Sequence, residues 1–537
     1  MAYRGSVIRL PIGMQGFNGS RNPSQLQPGH LSAVEGISLD GGLIQKEGGA
    51  SKLNSVAIGD PSIVVSGISY SPTVDAWREV VFLDNGKILK DDGTGLFATT
   101  LATSLIDVRL PPPYFLPAGG ESTGSPRTLF MFSATNQVRF MDGDGTSMAA
   151  ISTPAADWAG AGNFPTFGVV HENRVFAGGN ASDPHRLYYS YLTDHTNFSG
   201  ASAGSLSIFP GKGERLCGAV SFKGLLVVFK YPRGIYFVTT TDPSPSAWRV
   251  DTLTTAVGSV NQHCIVPIDN DTLYMDAAGN FHLLSATNAF GGVQTSNISQ
   301  IADIADYMRS NIDMAEIKRS TGIWYGEKQQ AIFALPVVDT IIEPNGPDNR
   351  LRMTIDFSNP QIGIRFLPSR RDTAVSLWRR RNSDGTFKPA HGDNEGFVWL
   401  MDQEARNKGG TAYTASFETA NMDLSFVNPI LATKDKSGDF LEIAFENQGD
   451  WELAVTIYWD GVPSPTLLYR MGGNGSGLGS FTLDTDTLGS DGVSSIRKRI
   501  VGSGRRIKIK CENTGVDENI ALSDFYLSFR VNDERQR

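Results

Sequence analysis

The sequence predicts an all-β protein: a β-propeller of six to eight blades, with an N-terminal arm before it and a C-terminal β-sandwich after it. Three observations predict this. The 537 residues include 58 Gly and 27 Pro, and no long Ala/Glu/Lys-rich stretch breaks the pattern, as in a chain of many turns. Apolar runs punctuated by Asp, Asn or Gly recur with starts near residues 79, 128, 169, 216, 263 and 323. Their spacing of roughly 40 to 60 residues is that of propeller blades. From about residue 410 a different pattern of alternating strands begins. A string of β-sandwiches is the competing architecture, since it makes the same hairpins without closing a ring. The ring is preferred because it leaves only short, protected strand edges.

Residues 1–60 form the arm. Weak strand patterns near Val7–Leu10 and Ile37–Ile44 are separated by Asn22-Pro23, Pro28-Gly29 and Gly41-Gly42, so this stretch needs neighbours to hold it down.

Residues 61–405 form the propeller. Glu79–Lys90 holds an Asp84-Asn85-Gly86 reversal between apolar runs, the strongest short-range hairpin signal. Thr128–Asp142 turns at Ala134–Gln137. Val169–Leu192 reads as three strands, broken at His171–Asn173 and at Gly178-Gly179. Leu216–Thr240 breaks at Lys223-Gly224 and Pro232–Gly234, and His263–Leu284 turns at Asp269–Asp271 and Ala277–Asn280. Ile323–Leu335, Met353–Phe366 and Phe397–Met401 continue the series.

Two segments interrupt it. Pro111–Pro126 is a Pro/Gly loop too irregular for a blade strand. Residues 299–317 predict one inserted helix, with Ser299 as N-cap and Ile301, Ile304, Ala305, Met308 and Ile312 on one face. It is expected to cap the propeller rim. Residues 406–537 then predict the sandwich, with alternation such as Leu441/Ile443/Phe445 and Ile507/Ile509/Cys511.

No stretch predicts a catalytic, cofactor-binding or metal site. Asp142-Gly-Asp144-Gly-Thr146 starts like a calcium loop but lacks the later ligands. His171, His185 and His195 match no helix-borne metal spacing and read as turn chemistry. Gly211–Arg215 lacks Walker spacing, Gly472–Gly479 is followed by a strand where a dinucleotide fingerprint needs a helix, and no GxSxG elbow occurs. Ser383–Phe387 resembles a compressed, unrepeated Asp box. Cys217, Cys264 and Cys511 are odd in number and far apart, and read as buried free thiols made in a reducing compartment. No secretory signal or membrane span is predicted.

The net charge of −9 disfavours wrapping nucleic acid but suits a surface that must not stick to it. Two basic runs stand against this background, Arg370-Arg371 with Arg379–Arg381, and Arg497–Arg499 with Arg505–Lys510. They read as a solvated face or a salt-bridged subunit interface rather than a nucleic-acid-binding surface, because no aromatic residues interleave with the charges.

One stretch carries a resemblance. Asn173-Arg174-Val175-Phe176-Ala177-Gly178, Pro184-His185-Arg186-Leu187-Tyr188-Tyr189-Ser190, Asp194 and Thr196-Asn197-Phe198 follow the arm features Asn22-Pro23, Leu26, Gly29, Gly42-Leu43 and Gly48-Gly49. Together they resemble the tail nozzle, or tail tubular protein B, family of short-tailed bacteriophages, most strongly over about residues 1–300. The resemblance implies a structural virion protein, assembled in the host bacterial cytoplasm as a hexamer at the distal end of a phage tail. It implies an adaptor ring above, fibres or spikes around it, and double-stranded DNA passing through the lumen during ejection. It implies no enzyme and no cofactor. Two alternatives stand beside it. One is a carbohydrate-binding or carbohydrate-degrading propeller, suggested by eight Trp and 15 Tyr that could stack on sugars, although such residues are also expected in blade cores. The other is a side-attached or capping tail protein.

Overall fold

A computed structural model describes residues 6–532 apart from 21, 60–61, 74–75, 107–109, 120–126, 161, 193, 212, 243, 287–292, 339–348, 372–373, 383, 473–474, 477–486 and 489–492. Seven four-stranded antiparallel sheets follow one another through 64–102, 114–150, 167–207, 215–254, 265–297, 321–369 and 376–403. In each of the first six, four strands pair in chain order. The first strands are Val64–Thr73, Tyr114–Gly119, Phe167–His171, Arg215–Phe222, Ile265–Ile268, Thr321–Tyr325 and Ser376–Arg381. Each lies against the first strands of the sheets before and after it, and the seventh lies against the first. The ring is therefore closed, and the fold is a β-propeller.

Apolar residues occupy both faces of each sheet for one reason: every sheet is sandwiched between two others. In Ala76–Leu83, Val80 and Phe82 pack with Leu129 and Met131 of the second sheet. Their neighbours Val81 and Leu83 pack on the other face with Trp378 and Ala390 of the seventh. Two-sided burial turns the usual alternation into a continuous apolar run. A separate hydrophobic cluster fills each of the seven gaps between sheets. Each fully buried Val, Leu or Phe contributes about 1.5–3 kcal/mol.

The seventh sheet is completed from the other end of the sequence. Gly49–Lys52 forms its outer strand, with Lys52 opposite Trp399 and Ser51 opposite Leu400. The segment expected as an arm also supplies the sandwich. Ser6–Leu10 and Leu43–Lys46 pair with Ala521–Asn532, and Leu31–Glu35 pairs with Ala415–Thr419. The two sandwich sheets share one core that includes Leu10, Leu39, Phe417, Leu441, Ile509 and Leu527. Between propeller and sandwich, the Glu47 carboxylate accepts from the buried Arg352 and lies 3.6 Å from Arg371. The Tyr413 hydroxyl donates to the Glu47 carbonyl. Next to it, the fully buried Lys46 donates to Asn513 Oδ1 at 3.0 Å and to the Gly515 carbonyl at 2.8 Å.

Two expectations are corrected. Tyr114–Gly119 is a strand, the innermost of the second sheet, not part of an irregular loop. Pro117 is tolerated there because an innermost strand has a partner on one side only. The helix spans Ile304–Asn311, not 299–317. Ala302 and Asp303 take left-handed conformations and Ile312 is extended, so apolar periodicity runs past both helix ends. Ser299 is not the N-cap, since its hydroxyl accepts from Phe281 N at 2.6 Å. No described helix is long and apolar enough to cross a membrane.

Candidate functional site

Ring closure brings residues from distant parts of the sequence to one cavity of about 420 Å³. Its walls come from five of the seven first strands: Val64–Thr73, Tyr114–Gly119, Ile265–Ile268, Thr321–Tyr325 and Ser376–Arg381. The cavity therefore lies along the propeller axis. Gly67 allows Trp378 to stand against the first strand, because a Cβ there would sit 2.9 Å from the indole ring.

One end is obstructed by a crossing contact. His263 Nε2 donates to the Pro112 carbonyl at 3.2 Å, joining the entries to the fifth and second sheets. The Tyr114 ring packs edge-on to the His263 ring, centroids 5.2 Å apart. Burial pushes the His263 imidazole down to about 4, against the raising effect of the Pro112 and Pro113 carbonyls, so it is neutral at pH 7. Beside it, the Gln262 amide exchanges hydrogen bonds with the backbone of Ala219.

At the far ends of the first strands the lining is aromatic and basic. Trp77 meets Phe387 edge-on at 5.5 Å. The Arg379 guanidinium lies 5.5 Å from the Phe387 ring centre, and Arg381 lies 5.2 Å from that of Trp77. Arg127 and Trp324 also line the cavity. Its described lining contains no Asp or Glu. Carboxylates stand just behind it. Glu79 accepts from Trp378 Nε1 at 2.7 Å, with Arg380 at 3.4 Å. Burial raises its carboxyl to about 7, opposed by Arg380 and by the Trp378 hydrogen bond. Asp269 accepts from Trp324 Nε1 at 3.0 Å, and Glu327 accepts from Phe387 N at 2.6 Å. Such an arrangement offers ring faces for stacking and guanidinium groups for hydroxyl or anionic oxygens.

Apart from Arg379 of the first basic run and Phe387 at the end of the Asp-box-like stretch, which line the cavity, the motifs singled out in the sequence fall elsewhere or serve the fold. Asp144 is held by Lys90 at 2.7 Å and Arg78 at 2.8 Å, so side-chain cations stand where a calcium loop would hold its metal. No group of three or more potential metal ligands occurs among the described residues. His171 is buried between Ser221 Oγ and Thr240 Oγ1, both at 2.8 Å, and His195 bonds the Asn173 carbonyl. The buried Arg174 of the resemblance motif donates to the Ser190 and Ser202 carbonyls and lies over the Tyr189 and Trp248 rings. Asp384 closes a turn through Thr386. Cys217, Cys264 and Cys511 are free and buried. In the basic runs, Arg371 and Arg380 face Glu47 and Glu79, while Lys508 and Lys510 pair with Glu418 and Glu512. Most of Gly472–Gly479, and also Lys212 and Ser383, lie outside the described residues.

Sequence reasoning missed the axial cavity. The available signal was aromatic and basic residues in or beside first strands: Trp77, Trp324, Trp378, Arg379 and Phe387.

No protein-family model matches the chain, and no curated protein matches it. Among solved structures, it is similar to exo-β-1,3-galactanase of Phanerochaete chrysosporium. The structure of a variant with β-1,3-galactotriose matches at a TM-score of 0.28 and 11% identity, over 77% of this chain and 95% of that one. The structure with galactose matches at 0.28 and 9% identity, over 90% and 100%. These neighbours are named as enzymes, which corrects the expectation that the chain is not one: missing sequence motifs do not exclude catalysis. The likeness is one of fold and transfers no residue.

Proposed function

We propose that this chain is a carbohydrate-recognising β-propeller that receives a saccharide unit in its axial cavity. The observation that supports it most is the aromatic lining, with Trp77, Tyr114, Trp324, Trp378 and Phe387 gathered around a space of about 420 Å³. Apolar faces with a few directed polar groups form the usual architecture of a small-ligand site. Sugar rings present C–H faces to aromatic rings and hydroxyls to groups such as Arg127 and Arg379. If bound saccharide is also cleaved, the candidates for acid and base are the carboxylates just behind the lining, Glu79, Asp269 and Glu327, since hydrolysis uses a carboxylate pair. Titration calorimetry of the full chain against bacterial surface polysaccharide fragments tests the reading, with product analysis of the same mixtures. Binding that Trp77→Ala abolishes is expected; unchanged binding would count against the cavity.

A second reading, that of a phage tail nozzle, is favoured by a different observation. The sandwich exposes Phe426 (41%), Val427 (46%) and Ile430 (64%) in one short segment, apolar surface that a ring-forming subunit would bury. In a hexamer, DNA would run between subunits, because each propeller axis is crossed by the Pro112–His263 contact. Electron microscopy of the purified chain and of virions tests it. A strict monomer, absent from the tail tip, would sink this reading, and copy number separates a nozzle from a side-attached protein.

A further inference from the structure

The cavity carries an unusual charge for this molecule. The chain has a net charge of −9, yet the described lining holds Arg127 and Arg379 and no carboxylate. Arg381 stands beside them over Trp77. Among the described residues, none of these three arginines forms a carboxylate ion pair. The neighbouring basic residues behave differently: Arg380 faces Glu79, and Arg78 and Lys90 hold Asp144. Three carboxylates behind the aromatic lining are already occupied as acceptors, Glu79 by Trp378 Nε1, Asp269 by Trp324 Nε1 and Glu327 by Phe387 N.

Guanidinium groups with no carboxylate partner among the described residues, at the margin of an aromatic cavity in an acidic protein, form an arrangement that attracts an anionic ligand. Stacking of Arg379 on Phe387 and of Arg381 on Trp77 restricts both side chains before any ligand arrives. This lowers the ordering cost of a charge-assisted or bidentate bond. Arg379 is exposed, so a bond to it is weakened by salt.

We propose that the axial cavity selects an acidic saccharide. The ligand's anionic group would meet Arg127 and Arg379, while its ring packs among Trp77, Trp324 and Phe387. This inference rests on the carbohydrate reading above and specifies its ligand class. The anionic group could be a carboxylate, as in a uronic acid, or a sulfate ester. Both offer the planar or clustered oxygens that guanidinium groups recognise.

The test is calorimetry on the full chain with three probes of matched length: a trigalacturonate, a sulfated galactotriose and a neutral galactotriose. The expected result is about tenfold tighter binding of at least one acidic probe than of the neutral one. The advantage should shrink at ~0.5 M salt. Which acidic probe binds names the source of the anion. The variants Arg127→Gln and Arg379→Gln should weaken acidic binding more than neutral binding and so remove the advantage, with the melting temperature unchanged. Equal affinity for acidic and neutral probes, or a preference that survives both variants, overturns the acidic assignment and leaves the carbohydrate reading standing. Binding of none of the three, with the chain folded by circular dichroism, overturns both.

Discussion

Glu79 and His263 titrate in opposite senses on two sides of the same cavity. The folded carboxyl of Glu79 lies near 7, above its unfolded value, so its charge costs stability that is recovered as pH falls from about 7 to 4.5. The folded imidazole of His263 lies near 4, below its unfolded value, so stability is lost as pH falls from about 6.5 to 4. Each contribution is on the order of 3 kcal/mol, and between about pH 6.5 and 4.5 the two offset each other. Glu79→Gln should therefore expose the histidine slope, so that the melting temperature drops more steeply on acidification than in the parent chain. His263→Gln should expose the opposite slope. Thermal melts of the three proteins between pH 4.5 and 7 check this, and parallel curves would refute it. Neither group was legible as titrating unusually. Glu79 sits beside an ordinary hairpin run in the sequence, and Trp378, which bonds and helps to bury it, lies 299 positions away.

At the scale of the element, hairpins were the most legible part of the chain. Asn85-Gly86 and Lys223-Gly224 place a positive backbone angle at the reversal, at Gly86, Lys223 and Gly224, and those turns are local chemistry. The strand Tyr114–Gly119 was not legible, because a Pro-rich entry hides a strand whose one-sided pairing only the ring explains. The helix was too long in the sequence reading because Ile301 and Ile312 keep the apolar spacing. Ile312 is buried from an extended backbone, and Ile301 is 43% exposed. Closure of the seventh sheet gives a sharp test. A Cβ at Gly49 would stand 2.0 Å from the Ala405 carbonyl oxygen and 2.3 Å from that of Asn407. Gly49→Val should therefore cost about 3 kcal/mol and loosen the outer strand. Denaturant melts, with hydrogen exchange across residues 49–52 and 398–403, measure both effects. At the helix, Met308 is 1% exposed in the cluster between the fifth and sixth sheets, and Met308→Ala should cost about 2–5 kcal/mol by the same melts.

For the whole molecule, propeller and sandwich are joined by shared chain as well as by contact. The first 52 residues contribute strands to both, and Glu47 ties Arg352 of the sixth sheet to Tyr413 near the start of the sandwich. A single cooperative unfolding transition is expected, and calorimetry with matched calorimetric and van't Hoff enthalpies checks it. Glu47→Ala should lower that one transition by about 3–5 kcal/mol, because it strips a carboxylate from a guanidinium that is only 2% exposed. Two separate transitions, with only one shifted, would contradict this coupling. The sandwich core was legible from alternation: Leu441, Ile443 and Phe445 are all fully buried, as their spacing requires. Its borrowed strands were not, because Ile44 finds its partner in Leu522, across nearly the whole sequence.

The borrowed outer strand also sets a timetable for synthesis. Gly49–Lys52 leaves the ribosome long before Val398–Gln403, the strand it must pair with, exists. Six sheets can gather on the nascent chain, but the circle cannot be fastened until translation has passed residue 403, and the sandwich must wait for residue 532. Until then the leading segment is an unpaired edge in search of a partner, with the long-range pairing that slows folding and invites mispairing between neighbouring chains on a polysome. Once fastened, the same latch means that no sheet can peel away from an end.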